Sequence, residues 1–139
     1  FFKPFMLIYN HSSWSLWLLK KNMMKNIFVL SACSTCQRIV KELGNATKGY
    51  TIQDIKTEKI TAKQLDEMKK LAGSYEALFS RVAMKYRSMG LNEMELTEKD
   101  YRKYILEEYT FLKRPVIVNE DKIFIGNSKK VVEAAKEGM

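Results

Sequence analysis

The stretch KNIFVLSACSTCQRIVKELGN, residues 25–45, decides how the chain is read. Its first six residues form a short apolar, β-rich run, the pattern of a buried strand. From Thr35 or Cys36 the spacing changes. Ile39, Val40 and Leu43 are apolar, Gln37, Arg38, Lys41 and Glu42 are polar, and Gly44-Asn45 closes a helix of about three turns. Cys33 and Cys36 therefore sit where a strand passes through a tight loop into a helix. They are the chain's two cysteines.

Working outward, residues 50–55 (YTIQDI) alternate as a second strand, which a right-handed crossover lays parallel to the first. Thr61 followed by Gln64 resembles a capping box opening a helix over residues 62–71, and Gly73-Ser74 breaks it. Residues 75–86 and 98–109 supply two further helical patterns. Leu65, Met68, Leu71, Leu78, Phe79, Val82, Met84, Tyr101, Tyr104, Ile105 and Leu106 are the expected core of this middle region, with the methionines as gap-fillers. Pro115-Val116-Ile117-Val118, the turn Asn119-Glu120-Asp121 and Lys122-Ile123-Phe124-Ile125 predict an antiparallel hairpin. Gly126-Asn127-Ser128 then open a last helix, over residues 129–136. The order βαβ, helices, ββα is that of an α/β thioredoxin-like fold. It has a mixed four-stranded sheet and a helical insert between its halves.

A chain of 139 residues, 46% of them apolar, suits one domain with a substantial core. The net charge of +8 is unevenly placed. Lys3, Lys20 and Lys21 lie in the first 23 residues, which hold no acid, so +5 remains on the rest. There Lys and Glu alternate along helical faces, which argues for solvated surfaces and against direct nucleic-acid binding.

Residues 1–23 read as a separate extension, non-native or disordered, with the domain running over residues 24–139. The favoured reading is that native translation begins at Met23 or Met24; an interfacial anchor or an accessory helix is the alternative. The extension lacks the order of a secretory signal, because Lys20 and Lys21 follow its apolar stretch. Asn10 to Ser13 interrupt that stretch, leaving it short of the ~20 residues that a membrane span needs. The expectation is a cytoplasmic monomer with no membrane association. A single close cysteine pair is also not the disulfide framework of a small secreted domain.

The pair admits four readings. Zinc wants four ligands, and the chain has no further cysteine and one histidine, His11, in the extension. No metal site is expected. As a structural staple, a disulfide across two intervening residues removes little unfolded-chain entropy. There remain a redox centre, which is favoured, and two buried inert thiols. At the start of a helix, unpaired N–H groups and the positive end of the dipole favour a thiolate, so Cys33 should ionise below the ordinary value of about 8.5. Cys33 is then the attacking thiol and Cys36, one turn on, the resolving one. No histidine stands in the domain to serve a Cys/His mechanism. A phosphatase-type anion loop needs Cys, five residues, then Arg. Cys33 and Arg38 have four residues between them, so the low-molecular-weight phosphatase-like arsenate reductases do not fit.

Three segments in order, Cys33-Ser34-Thr35-Cys36-Gln37-Arg38, Leu78-Phe79-Ser80-Arg81 and Leu112-Lys113-Arg114-Pro115-Val116-Ile117-Val118, resemble the ArsC/Spx family over roughly residues 24 to 136. The resemblance implies a thioredoxin-like fold with Cys33 in an anion-accepting pocket and Arg81 and Arg114 as oxyanion-binding residues. It also implies that Pro115 is a cis-proline facing the active cysteine. Read without the resemblance, Arg114 is a surface charge beside an edge strand and Arg81 a charge on a helix surface. The family's glutaredoxin-dependent arsenate reductases carry one catalytic cysteine and a third arginine after the hairpin. Here Cys36 is added and Gly126 stands near that arginine's place, as in Spx, the redox-sensing regulator that binds RNA polymerase. Spx in turn has arginine directly after its second cysteine, where this chain has Gln37.

Two functions follow as expectations. One is an arsenate reductase-like thiol oxidoreductase acting on arsenate or a related oxyanion or disulfide. It has no bound cofactor, and electrons come from an external thiol donor such as glutathione/glutaredoxin or thioredoxin. The other is an Spx-like transcriptional regulator whose Cys33–Cys36 disulfide switches its docking on RNA polymerase.

Overall fold

The protein is seen in a computed structural model that describes residues 25–139; the expectations placed on the extension and on Met23 and Met24 lie outside the described residues. Four strands form one sheet: β1 (Lys25–Val29), β2 (Thr51–Asp54), β3 (Val116–Asn119) and β4 (Lys122–Ile125), in the order β2-β1-β3-β4. β1 pairs parallel to β2 and antiparallel to β3, and β3 pairs antiparallel to β4. Among the described residues five α-helices pack around it: α1 (Ser34–Leu43), α2 (Ala62–Ala72), α3 (Met84–Ser88), α4 (Glu98–Glu107) and α5 (Lys129–Gly138). This is the expected α/β thioredoxin-like architecture with a mixed four-stranded sheet.

The sheet divides the core by strand alternation. Ile27, Val29 and Ile117 face one side, where Cys36, Ile39 and Leu43 of α1 and Val132 and Ala135 of α5 cover them. Phe28, Val116 and Val118 face the other, under Leu65 and Met68 of α2, Tyr101 and Ile105 of α4, and Phe79, Leu91, Phe111 and Leu112. A strand covered on both faces must be apolar at successive residues. Ile27-Phe28-Val29 meets that condition, all three being buried.

Local signals end the helices. Thr61 and Gln64 form a reciprocal capping box at α2, and Gly73, at φ 94°, takes the left-handed conformation that closes it. Thr97 and Asp100 make a second capping box at α4, and Ser128 caps α5 by accepting from the Val131 N–H.

Two expectations for the insert are corrected. Residues 75–86 do not form one helix: a 3₁₀ turn, Glu76–Leu78, ends at Phe79, and α3 begins only at Met84. Phe79 instead bridges Leu112, with the Ser80 N–H donating to the Phe111 carbonyl at 2.7 Å and the Lys113 N–H to the Leu78 carbonyl at 2.9 Å. These long-range bonds satisfy backbone groups that a helix would have paired internally. Val82 and Met84, expected in the core, are 93% and 90% exposed as a consequence. The pattern in residues 98–109 also stops short, at Glu107, with the 3₁₀ turn Tyr109–Phe111 after it.

Candidate functional site

Cys33 is the N-cap residue of α1, with extended backbone angles. Its N–H donates to the Leu30 carbonyl at 2.9 Å and its carbonyl accepts from the Gln37 N–H at 3.1 Å. The loop before it is tied down from β2. Ser31 Oγ donates to Asp54 Oδ2 at 2.6 Å, and the Lys56 N–H donates to Asp54 Oδ1 at 3.1 Å. The Gln37 side-chain amide reaches back to the Ser31 carbonyl. Sequence reading missed this tether. Its signal was Asp54, which stands opposite Val29 in the β1–β2 register and so lies beside the residues that follow β1.

The two thiols differ in environment. The Cys33 side chain completes no capping hydrogen bond. Even so, the backbone N–H of Cys36 first, then that of Thr35, the Cys36 thiol and the Arg114 charge favour its ionised form and hold its pKa below the ordinary thiol value, against partial desolvation. Cys36 is 2% exposed, and burial pushes its pKa up; donating to Cys33 adds to that shift. Both are free thiols. The helix thus places an ionisable, partly exposed sulfur beside a protonated, buried one.

Cys33 opens into a cleft of about 640 Å³ whose lining includes Thr35, Ser80, Arg81, Lys113, Arg114 and the β4–α5 turn Gly126, Asn127 and Ser128. The structure brings Cys33, Arg81 and Arg114 to one cleft, with Cys36 behind. The Arg114–Pro115 peptide is cis, and Pro115 is buried. Nε and Nη1 of Arg114 are buried with no hydrogen-bond partner among the described residues. A guanidinium left unpaired at a cleft wall suits an anionic ligand, since leaving such donors unmet costs free energy. Arg81 is already engaged: its Nη2 donates to Glu76 Oε2 at 2.6 Å and to the Tyr101 hydroxyl at 3.0 Å. Neither Glu76 nor Tyr101 was singled out from sequence as a site neighbour.

Gly126 has φ 98° and its N–H donates to the Pro115 carbonyl at 2.9 Å. A side chain is disfavoured at that φ, so the local backbone suits glycine where a third arginine was considered. Among the described residues no group of three or more His, Cys, Asp or Glu could hold a metal ion. No described helix is long and apolar enough to cross a membrane.

Comparison with known proteins adds an independent line. A curated relative, Global transcriptional regulator Spx 2 of Bacillus anthracis, is 24% identical over 102 residues, which cover 72% of this chain and 77% of the relative. A solved structure of a possible arsenate reductase from Streptococcus mutans superposes with a TM-score of 0.63 at 25% identity, covering 78% of this chain and 93% of that one. An arsenate reductase (ArsC) related protein from Brucella melitensis does so at 0.62 and 24%, covering 81% and 94%. The second of these shows the fold alone. Residues 28–135 match the ArsC family, and with the strand–Cys33–helix site in place the chain belongs to that family.

Proposed function

We propose that the protein is an arsenate reductase-like thiol oxidoreductase in which Cys33 is the nucleophile and Cys36 the resolving thiol. The observation that carries this reading is the asymmetry of the pair. Cys33 has a lowered pKa and a cleft before it, while Cys36, one helical turn on, is buried with its pKa raised.

With arsenate, the Cys33 thiolate forms a sulfur–arsenic(V) bond as one arsenic oxygen leaves as water. The Cys36 thiolate, its proton passed to solvent, then attacks the Cys33 sulfur. The S–As electron pair stays on arsenic, so arsenite departs and the Cys33–Cys36 disulfide forms. With a disulfide substrate the same two attacks release its two thiols in turn. An external donor, glutathione with glutaredoxin or thioredoxin, supplies the two electrons that restore the dithiol. An external thiol can also discharge the Cys33 adduct directly. Arg114, and Arg81 when released from Glu76, would stabilise the oxyanion by forked hydrogen bonds.

The test is arsenate-dependent thiol consumption with the glutaredoxin and thioredoxin systems supplied separately. Turnover with one of them, abolished in Cys33→Ser, is the expected result. No turnover with either, together with ready formation of the Cys33–Cys36 disulfide, would refute the enzymatic reading.

The similarity to a relative named as a global transcriptional regulator favours one second reading. There the same disulfide alters docking on RNA polymerase without catalysis, a local covalent event biasing a partner interaction. Redox-dependent pull-down of polymerase subunits without turnover is its signature.

A further inference from the structure

The two cleft arginines differ in what already holds them. Arg114 has buried N–H groups with no acceptor among the described residues. Arg81 is held from outside the cleft, by Glu76 at 2.6 Å and by Tyr101 at 3.0 Å. Both partners are seated firmly. The Tyr75 and Glu76 N–H groups donate to the Glu98 carboxylate at 2.7 and 3.1 Å, which anchors the turn that presents Glu76. Tyr101 is buried, with its ring 4.9 Å from that of Phe79. A carboxylate presented from an anchored turn, with its side chain half exposed, is an internal competitor for any anion that enters beside Cys33.

We propose that Glu76 is a positioning residue that sets the anion affinity of the Cys33 cleft by holding Arg81, so that Arg114 is the resting anchor and Arg81 is recruited only when a ligand displaces the carboxylate. This rests on the reading of the cleft as an oxyanion site. The Arg81 and Glu76 side chains are 46% and 54% exposed, so the pair lies where an anion from solvent can compete for Arg81. The ligand class is a compact tetrahedral oxyanion, whose several oxygens can accept from both guanidinium groups at once.

The test uses inorganic phosphate as an unreactive probe and measures how far it slows alkylation of Cys33 by iodoacetamide at constant ionic strength. Wild type, Glu76→Gln, Glu76→Asp, Arg81→Gln and the double variant Glu76→Gln/Arg81→Gln are compared. Glu76→Gln should tighten phosphate binding about fivefold, the scale of one exposed ion pair, and Glu76→Asp should stay closer to wild type. In the Arg81→Gln background the same substitution should change nothing, because the coupling runs through Arg81. An unchanged affinity in Glu76→Gln overturns the proposal, as does an equal gain without Arg81, which would show only the lost negative charge. If phosphate protects Cys33 in neither wild type nor Glu76→Gln, the oxyanion site itself is refuted. Protection in wild type that Glu76→Gln leaves unaltered refutes the latch alone.

Discussion

Ser31 Oγ donates to Asp54 Oδ2 at 2.6 Å, so the last residue of β2 holds the loop that delivers Cys33 to the start of α1. Loop geometry sets which N–H groups meet the sulfur, and hence its acidity. Asp54→Ala should leave the fold intact and raise the Cys33 pKa by less than about one unit. The pH profile of iodoacetamide alkylation, read against circular dichroism, checks both halves. An unmoved profile would show that α1 alone positions the thiol.

Cys36 favours the Cys33 thiolate both through its backbone N–H and through its thiol. Cys36→Ala keeps the first contribution and removes the second. The Cys33 pKa should therefore rise, while remaining below that of an ordinary thiol. Thiolate absorbance near 240 nm, titrated in Cys36→Ala and in wild type, measures the shift. A fall in pKa would contradict the assigned direction.

Arg114 carries two buried N–H-bearing nitrogens without acceptors among the described residues. Arg114→Met keeps much of the stem's packing and removes that burden, so it should be neutral or stabilising by up to about 2 kcal/mol while abolishing anion protection of Cys33. Urea denaturation and the alkylation assay together test the trade. Marked destabilisation would mean that the guanidinium has a structural partner.

Asp66 accepts from Arg102 Nε at 2.9 Å and from the Tyr75 hydroxyl at 2.6 Å, and these bonds lower its pKa from 3.8 to about 2. The ionised form is favoured in the fold. This contribution is complete above about pH 4 and is lost as pH falls through 2. Asp66→Asn should be less stable than wild type at pH 6, with the gap closing between pH 4 and 2. A gap independent of pH would point to packing. The groups are partly exposed, so the gap should be modest.

Phe79 is fully buried between Phe111 and Tyr101, with ring centroids 5.1 and 4.9 Å away. Phe79→Ala should cost about 3–5 kcal/mol. Val82→Ala and Met84→Ala, at exposed positions, should each stay within about 0.5 kcal/mol. Chemical denaturation of the three variants tests this division. A large loss at Val82 would restore it to the core.

What the sequence determined alone is what neighbours along the chain control. The strand-to-helix passage at Cys33, the capping box at Thr61 and Gln64 and the turn between β3 and β4 depend on residues a few positions apart, and periodicity or hydrogen-bonding chemistry exposes them. The family segments further narrowed the architecture and brought Arg81 and Arg114 into consideration. Tertiary structure decided the rest. Leu78, Phe79, Val82 and Tyr86 repeat at helical spacing, but the backbone around Phe79 is claimed by Phe111 and Leu112. Those bonds turn Arg81 out of a helix and into the cleft. The same kind of long-range pairing joins Ser31 to Asp54 and Arg81 to Glu76 and Tyr101. Such partners become neighbours only after the sheet has closed, and a local pattern has no means of recording contacts that chain collapse creates.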